Sequence, residues 1–199
     1  MRIPYWTAQG DIDLANLRPQ DLTAEIIGDA LAKINRYNGR TREPWSVAAH
    51  SVLVEALCPP GLGPWALLHD AHEIFVGDIV TPAVELIATF GGMPEFDDAL
   101  ANTKAQLDRV IADAWHVPVL SLAKSLRDAD RIALCAEAIF HVGASVEAFI
   151  PADRDEIDRA LSILMEMQSA TNWRTARDMW CARVEHHAVH GGMSPPVAC

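Results

Sequence analysis

The residues best suited to chemistry lie in one short segment, Leu68-His69-Asp70-Ala71-His72-Glu73. The residues around it, 64–76, are mostly apolar, and their pattern predicts a largely buried helix. Imidazole and carboxylate groups are costly to bury unless they are paired, hydrogen-bonded or bound to a metal. His69 and Glu73 share one face of such a helix, and Asp70 lies about 100° around it. The segment therefore predicts either a buried pair that satisfies itself or a metal site with an acid one turn away.

Two further residues are candidates for the same site. His50 lies within a helix predicted over 47–57, and Val47, Val54 and Leu57 share its apolar side. Alone it would usually be a satisfied core residue, but beside a buried His-Asp pair it becomes a candidate ligand. Asp130 falls on the apolar side of a helix predicted over 119–141, where a carboxylate needs a partner, and Asp128 is the competitor if the register differs. Two imidazoles and two carboxylates suit a divalent transition metal such as Mn²⁺, Co²⁺, Fe²⁺ or Zn²⁺.

Three arginines, Arg36, Arg40 and Arg42, lie beside a turn at Asn38-Gly39. The segment is either a solvated basic loop or a phosphate-binding edge, since guanidinium groups match the geometry of phosphate oxygens. Arg36 is the best phosphate ligand of the three because it lies at the end of a helix predicted over 21–37.

The composition limits the classes of partner. The chain has 199 residues, of which half are hydrophobic and 22% charged, as in an ordinary single-domain globular protein. Its formal net charge of −11 disfavours a nucleic-acid polymer or an anionic membrane as partner. If the substrate is a phosphate, a metal and a few placed arginines must attract it.

The cysteines and the N-terminus bear on location. The four cysteines show no C-x-x-C spacing, which is typical of reduced thiols in a cytosolic protein. The N-terminal residues lack the continuous apolar run of a signal peptide, and no window approaches a membrane span. We therefore expect a soluble, cytoplasmic protein.

The rest of the pattern predicts an all-α fold. No strand pattern of any length and no internal repeat is present. We expect an irregular segment over 1–20, one domain over 21–185 and a flexible tail over 186–199. The predicted helices cover residues 21–37, 47–57, 64–76, 81–87, 94–115, 119–141, 151–168 and 172–185.

Together these motifs resemble those of the HD-domain phosphohydrolases, and most closely the small bacterial and phage branch that includes the 5′-deoxynucleotidases. The resemblance covers most of the chain, from about Asp11 to the last helix. The segments that carry it are Arg36-Tyr37-Asn38-Gly39, Trp45-Ser46-Val47-Ala48-Ala49-His50-Ser51, Leu68-His69-Asp70-Ala71-His72-Glu73, Gly77-Asp78-Ile79 with Thr81-Pro82, and Asp130 with Leu134 and Glu137-Ala138.

The resemblance implies a helical bundle that hydrolyses a deoxynucleotide at a metal centre. Glu73 would position or activate water beside Asp70, Arg36 would contact the phosphate and Asp78 would lie near the sugar. Trp45 is one of the aromatic residues that could stack on a base, although it also fits the core. The metal ligands implied are His50, His69, Asp70 and Asp130.

Three functions follow as alternatives. The first is a 5′-deoxynucleotidase that converts a dNMP to a deoxynucleoside and phosphate. The second is a triphosphohydrolase that releases tripolyphosphate from a dNTP, notably dATP. The third is a non-catalytic helical module that binds a metal or a nucleotide. Relatives often carry a lysine just after the Thr-Pro, where this chain has Ala83-Val84-Glu85, and this difference favours the monophosphate. The resemblance also implies a homo-oligomer.

Overall fold

A computed structural model describes residues 1–8, 10–149 and 154–197 of the chain, and most of them are helical. The all-α prediction is therefore confirmed. Among these residues, no helix has the length and apolar content needed to cross a bilayer. The α-helices are α1 (Ala24–Leu31), α2 (Val47–Leu57), α3 (Gly63–Leu68), α4 (Glu73–Val76), α5 (Thr81–Phe90), α6 (Phe96–Trp115), α7 (Lys124–Glu137), α8 (Arg154–Glu166) and α9 (Trp173–Val189). The 3₁₀ segments are Pro19–Leu22, Arg36–Gly39, Pro60–Leu62, Val146–Phe149 and Gln168–Thr171, and a π-helical turn, Ala138–Val142, directly follows α7.

A small hairpin lies near the N-terminus, where no strand was predicted. Strands β1 (Pro4–Thr7) and β2 (Gly10–Asp13) pair antiparallel, with Trp6 opposite Asp11. The expectation of a chain without strands was wrong here. Each strand has only four residues and Trp6 is 79% exposed, so the alternation of buried and exposed residues that indicates a strand is missing.

Helices α2 and α3 form the centre of the bundle. They contact each other, and both contact α9, while α7 and α8 also pack against α2. Residues 47–54 of α2 are all buried, since neighbours cover the helix on every side. Trp115 and Trp180 donate their indole N–H groups to backbone carbonyls, which removes the cost of burying them. The fully buried tryptophans are Trp45, Trp65, Trp115 and Trp180.

The helix ends differ most from the predictions. The helix predicted over 21–37 is divided, because Thr23 caps a separate helix α1, and Arg36 begins its own 3₁₀ turn. Helix α9 continues to Val189, and the Ser194 N–H then donates to the Trp115 carbonyl at 2.9 Å. Within the segment predicted as a flexible tail, residues 186–189 thus continue a helix, and Met193 is buried. The predicted helix start at residue 151 and the cysteine Cys199 lie outside the described residues.

Candidate metal centre

The helix predicted over 64–76 is broken at its His-Asp pair. Between α3 and α4 the Ala71 N–H donates to the Leu68 carbonyl at 2.9 Å, and the Glu73 N–H donates to the Asp70 carbonyl at 3.0 Å. These i to i−3 bonds form a 3₁₀ turn, which within a helix often marks a functional position. The buried helix α3 therefore leads directly into a tight turn that carries His69 and Asp70.

Four side chains from three parts of the chain meet at this turn. The Nε2 atom of His50 lies 3.1 Å from Oδ1 of Asp130 and 3.6 Å from Oδ2 of Asp70. The Nε2 atom of His69 lies 3.2 Å from Oδ2 of Asp70 and 4.0 Å from Oδ1 of Asp130. Asp128 instead pairs with a lysine on the surface. The structure thus brings together the four residues named as candidate ligands, and it places the competitor Asp128 elsewhere.

Both imidazoles are held with the same nitrogen facing the carboxylates. The Nδ1 atom of His50 lies 2.7 Å from Oε1 of Glu137, and that of His69 lies 2.7 Å from the Ala66 carbonyl oxygen. Both partners are acceptors, so each Nδ1 carries a proton, and a ring that gives up its second proton presents a lone pair at Nε2. Both Nε2 atoms are buried, and neither makes a hydrogen bond of good geometry, although carboxylate oxygens lie 3.1 and 3.2 Å away. Two such nitrogens beside two carboxylates fit a divalent transition metal.

The ionisation of the site shows what a metal would displace. Burial disfavours protonation of the two imidazoles, yet the neighbouring carboxylates raise the pKa of His50 and of His69 to about 9. Burial alone would raise the pKa of Asp70, but His69, His50 and Arg36 hold it well below its usual range. Without a metal, the site at neutral pH therefore consists of protonated imidazoles beside ionised carboxylates.

Glu137 occupies a position that sequence reasoning did not identify. It is fully buried and accepts hydrogen bonds from Nδ1 of His50 at 2.7 Å, Nε1 of Trp45 at 2.9 Å and Nε of Arg36 at 3.2 Å. Burial opposes ionisation, but His50 and Arg36 lower the pKa of Glu137 to about 2. Its spacing was the available signal, since Glu137 follows Asp130 by two helical turns and shares its face.

Trp45 lies behind the centre, not against a substrate. Its indole is fully buried, stacks on His141 with ring centroids 4.4 Å apart and donates its N–H to Glu137. It does not line the cavity described next. These contacts agree with the alternative that Trp45 belongs to the core, where it helps to orient Glu137.

An open cavity of about 790 Å³ lies over the centre, a size typical of small-molecule sites. One wall is the turn after Arg36, where Tyr37 and Asn38 hold left-handed φ angles of 55° and 52°. Such conformations cost about 1–3 kcal/mol each and are frequent at functional sites. The charged residues that line the cavity are Arg36, Arg40, Asp70, Glu73, Asp78, Lys104 and Asp130.

Arg36 connects the centre to the cavity wall. Its Nη1 atom lies 3.9 Å from both Asp70 and Asp78, and its Nε donates to Glu137. Burial opposes its charge, but Glu137, Asp70 and Asp78 hold the pKa of Arg36 above its ordinary value. Of the three arginines considered in the sequence, Arg36 and Arg40 line the cavity and the third does not.

Glu73 and Lys104 form the opposite side. Glu73 is 3% exposed, and burial, followed by repulsion from Asp70 and Asp78, raises its pKa to about 9. The Nζ atom of Lys104 lies 4.0 Å from Oε1 of Glu73. Sequence reasoning missed Lys104, because nothing in the sequence of helix α6 distinguishes it from an ordinary surface lysine. It brings an ammonium group to a cavity that lacks a lysine after Thr81-Pro82.

Parts of this chain are similar to two bacterial proteins. An uncharacterized protein of Rhodobacter capsulatus is 43% identical over 98 residues, which cover 45% of this chain and 49% of that protein. The uncharacterized protein YfdR of Escherichia coli is 31% identical over 113 residues, which cover 56% of this chain and 64% of that protein. The chain thus spans about half of the first relative and less than two thirds of the second. No family model matches the sequence.

Proposed function

We propose that the protein is a divalent-metal-dependent phosphohydrolase of the HD-domain type that acts on deoxynucleotides. We propose a 5′-deoxynucleotidase that releases phosphate from a dNMP, in a cytoplasmic homo-oligomer. The observation that carries this proposal is the convergence of the buried Nε2 atoms of His50 and His69 on the carboxylates of Asp70 and Asp130, at 3.1 to 4.0 Å, beside a cavity that three cationic side chains help to line.

The residues that would hold the metal are His50, His69, Asp70 and Asp130. When bound, a divalent cation would act as a Lewis acid toward a phosphoryl oxygen and would make water more acidic. The second carboxylate oxygen of each aspartate and the open cavity leave room for water and substrate. Glu137 keeps His50 in the required orientation, which is the usual role of a carboxylate that accepts from a ligand imidazole.

The other charged residues have separate tasks in this scheme. Arg36 orients the phosphate, because its guanidinium group faces the cavity and is already fixed by Glu137. Glu73 moves a proton at Oε1, to or from the attacking water and the leaving sugar oxygen. Asp78 lies 3.9 Å from Arg36 and accepts a hydrogen bond from the sugar.

The triphosphohydrolase is the second candidate, and Lys104 favours it. With Arg36 and Arg40 this residue places three cationic side chains around a cavity of about 790 Å³, more than a single phosphate needs. The binding module is less favoured, because the buried Oε2 of Glu73 makes no hydrogen bond that would give this carboxyl a purely structural role.

A metal-supplemented assay tests the proposal. Protein treated with EDTA and reloaded with Mn²⁺ or Co²⁺ is offered the four dNMPs, the four dNTPs and matching ribonucleotides, and the phosphate product is identified. We expect inorganic phosphate from dNMPs and the loss of metal and turnover in His69→Gln. His187→Gln is the control, since this histidine bonds Glu55 and does not line the cavity.

Each result has a distinct meaning. Tripolyphosphate from a dNTP would replace the nucleotidase by the triphosphohydrolase. Bound metal with no product from any nucleotide would refute the hydrolase and leave the binding module. Full turnover by His69→Gln would refute the proposed centre.

A further inference from the structure

His72 lies beside the proposed centre but is not one of its ligands. It is 5% exposed, and its Nδ1 lies 2.8 Å from Oδ1 of Asp108 on helix α6. The hydroxyl of Ser121 donates to the other Asp108 oxygen at 3.4 Å and accepts from the Trp65 indole at 3.1 Å. This chain of contacts fixes the ring of His72 from behind, and it leaves Nε2 as the nitrogen available to a ligand.

Two buried atoms at this place have no partner. Nε2 of His72 and Oε2 of Glu73 are both buried and form no hydrogen bond. Buried polar groups are nearly always paired, and an unpaired one costs about 1–3 kcal/mol. One ligand atom of each of Asp70, His72 and Glu73 lies within 4.8 Å of those of the other two. An imidazole nitrogen and two carboxylate oxygens thus lie close enough together to hold one ion.

We propose that Asp70, His72 and Glu73 form a second divalent-cation site that shares Asp70 with the first. The inference rests on the proposed function in one respect, since it takes Asp70 as a ligand of the first metal. The ligand types suit Mn²⁺, Co²⁺, Fe²⁺ or Zn²⁺. Glu73 offers Oε2 to this site, and Oε1, which faces Lys104, remains available for proton transfer.

The hydrogen bonds that orient His72 match those that orient His50. In each case a buried carboxylate accepts from Nδ1, namely Asp108 for His72 and Glu137 for His50. In each case an indole N–H contributes to the support, through Ser121 for Asp108 and directly for Glu137. Such carboxylate–histidine pairs orient metal ligands. A purely structural tie between the turn and α6 would need only Nδ1 and would not explain the unpartnered Nε2.

The charge around the cavity leaves room for a second cation. Glu137 neutralises Arg36, and a metal bound at His50 and His69 would displace their protons. With Glu73 ionised as a ligand, the four lining carboxylates, Asp70, Glu73, Asp78 and Asp130, then exceed the cations Arg40 and Lys104 by two charges. One divalent ion would balance this excess of negative charge. A second would make the site positive, as the binding of a phosphate requires.

The test is the number of metal ions bound per chain. Protein freed of metal with EDTA is titrated with Mn²⁺, and free Mn²⁺ is measured by electron paramagnetic resonance. We expect two equivalents for the wild type and one for His72→Gln. His187→Gln, a partly buried histidine bonded to Glu55, is the matched control and retains both. If His72→Gln does not fold, Asp108→Asn replaces it as the test variant. We expect Asp108→Asn to weaken the binding of one of the two Mn²⁺ ions about 10- to 100-fold.

The outcomes separate this inference from the proposed function. One equivalent of Mn²⁺ bound to the wild type, or two bound to folded His72→Gln, overturns the second site. If the wild type binds only one, a water molecule is the remaining partner for Nε2 of His72. Two equivalents without hydrolysis of any nucleotide uphold the second site and refute the proposed function. No bound Mn²⁺ overturns both.

Discussion

Glu137→Gln tests the reasoning about the metal centre most directly, because it preserves the size of the side chain and removes its charge. The buried carboxylate accepts from His50, Trp45 and Arg36. An amide at this position retains one acceptor oxygen but presents an N–H group to at least one of the three donors. His50 then loses the partner that fixes its Nδ1 proton, and Arg36 loses its closest counter-charge.

The structure sets the size of the effect. A pKa lowered from 4.5 to about 2 corresponds to roughly 3 kcal/mol of interaction favouring the ionised form. Because the folded-state pKa is depressed, this stabilisation is fully present above pH 4.5 and is lost as the pH falls through 2. At pH 7, Glu137→Gln therefore costs about 3 kcal/mol, which lowers Tm by roughly 6–12 °C for a chain of this length. Loss of the support of a ligand imidazole weakens metal binding about 10- to 100-fold.

Thermal unfolding in EDTA and Mn²⁺ titration measure the two effects separately. Glu55→Gln is the matched control, because Glu55 is also shielded and accepts from Arg183 and His187, neither of which is a proposed ligand. We expect Glu55→Gln to lose stability and keep the wild-type Kd for Mn²⁺. A wild-type Kd in folded Glu137→Gln would refute the claim that Glu137 positions His50.

Two groups of side chains give further predictions. Because the pKa values of His50 and His69 are raised to about 9, metal binding must displace their protons. For each displaced proton, Mn²⁺ affinity should rise about tenfold per pH unit between pH 6.5 and 9. An affinity that does not change with pH would contradict this. The stability of the metal-free protein should change with pH in the opposite direction. The raised pKa values of the two histidines stabilise the folded state fully below pH 6.5, and this stabilisation is lost as the pH rises through 9. Tm in EDTA should therefore fall between pH 6.5 and 9. Lys104→Gln should weaken dNMP binding about tenfold in calorimetry without weakening Mn²⁺ binding, and an unchanged dNMP affinity would remove Lys104 from the substrate site.

The sequence predicted elements well where local signals set their ends. Helix α2 has the predicted bounds 47–57, since the Ser46 hydroxyl caps its start by accepting from the Ala49 N–H. Helix α9 runs past its predicted end, because the packing of Met193 and Ser194 against the bundle stabilises it and no local signal records that packing. The break between α3 and α4 was missed for another reason. Apolar periodicity does not distinguish an α-helical turn from the 3₁₀ turn found at residues 69–72.

The candidate ligands could be named from the sequence, but their supports could not. His50, His69 and Asp130 are polar residues on apolar faces, so each is anomalous by itself. Glu137 and Asp108 become meaningful only through contacts with residues 87 and 36 positions away along the chain. Such contacts depend on how the helices pack, which a single sequence does not specify.

A protein with a net charge of −11 repels a phosphate at long range, so a phosphate substrate can bind only where the local arrangement of charge is favourable. Arg36 is neutralised by Glu137, so it contributes geometry more than attraction. Metal binding displaces the protons of both imidazoles. The lining carboxylates then outnumber the remaining cations, Arg40 and Lys104, so the attraction for a phosphate must come from the metal itself. A bound divalent cation would reverse this balance beside Asp70 and Asp130, the two proposed ligands that line the cavity. Substrate affinity in this scheme therefore depends on prior metal binding, and the fold contributes the positions of the ligands, not a general attractive field.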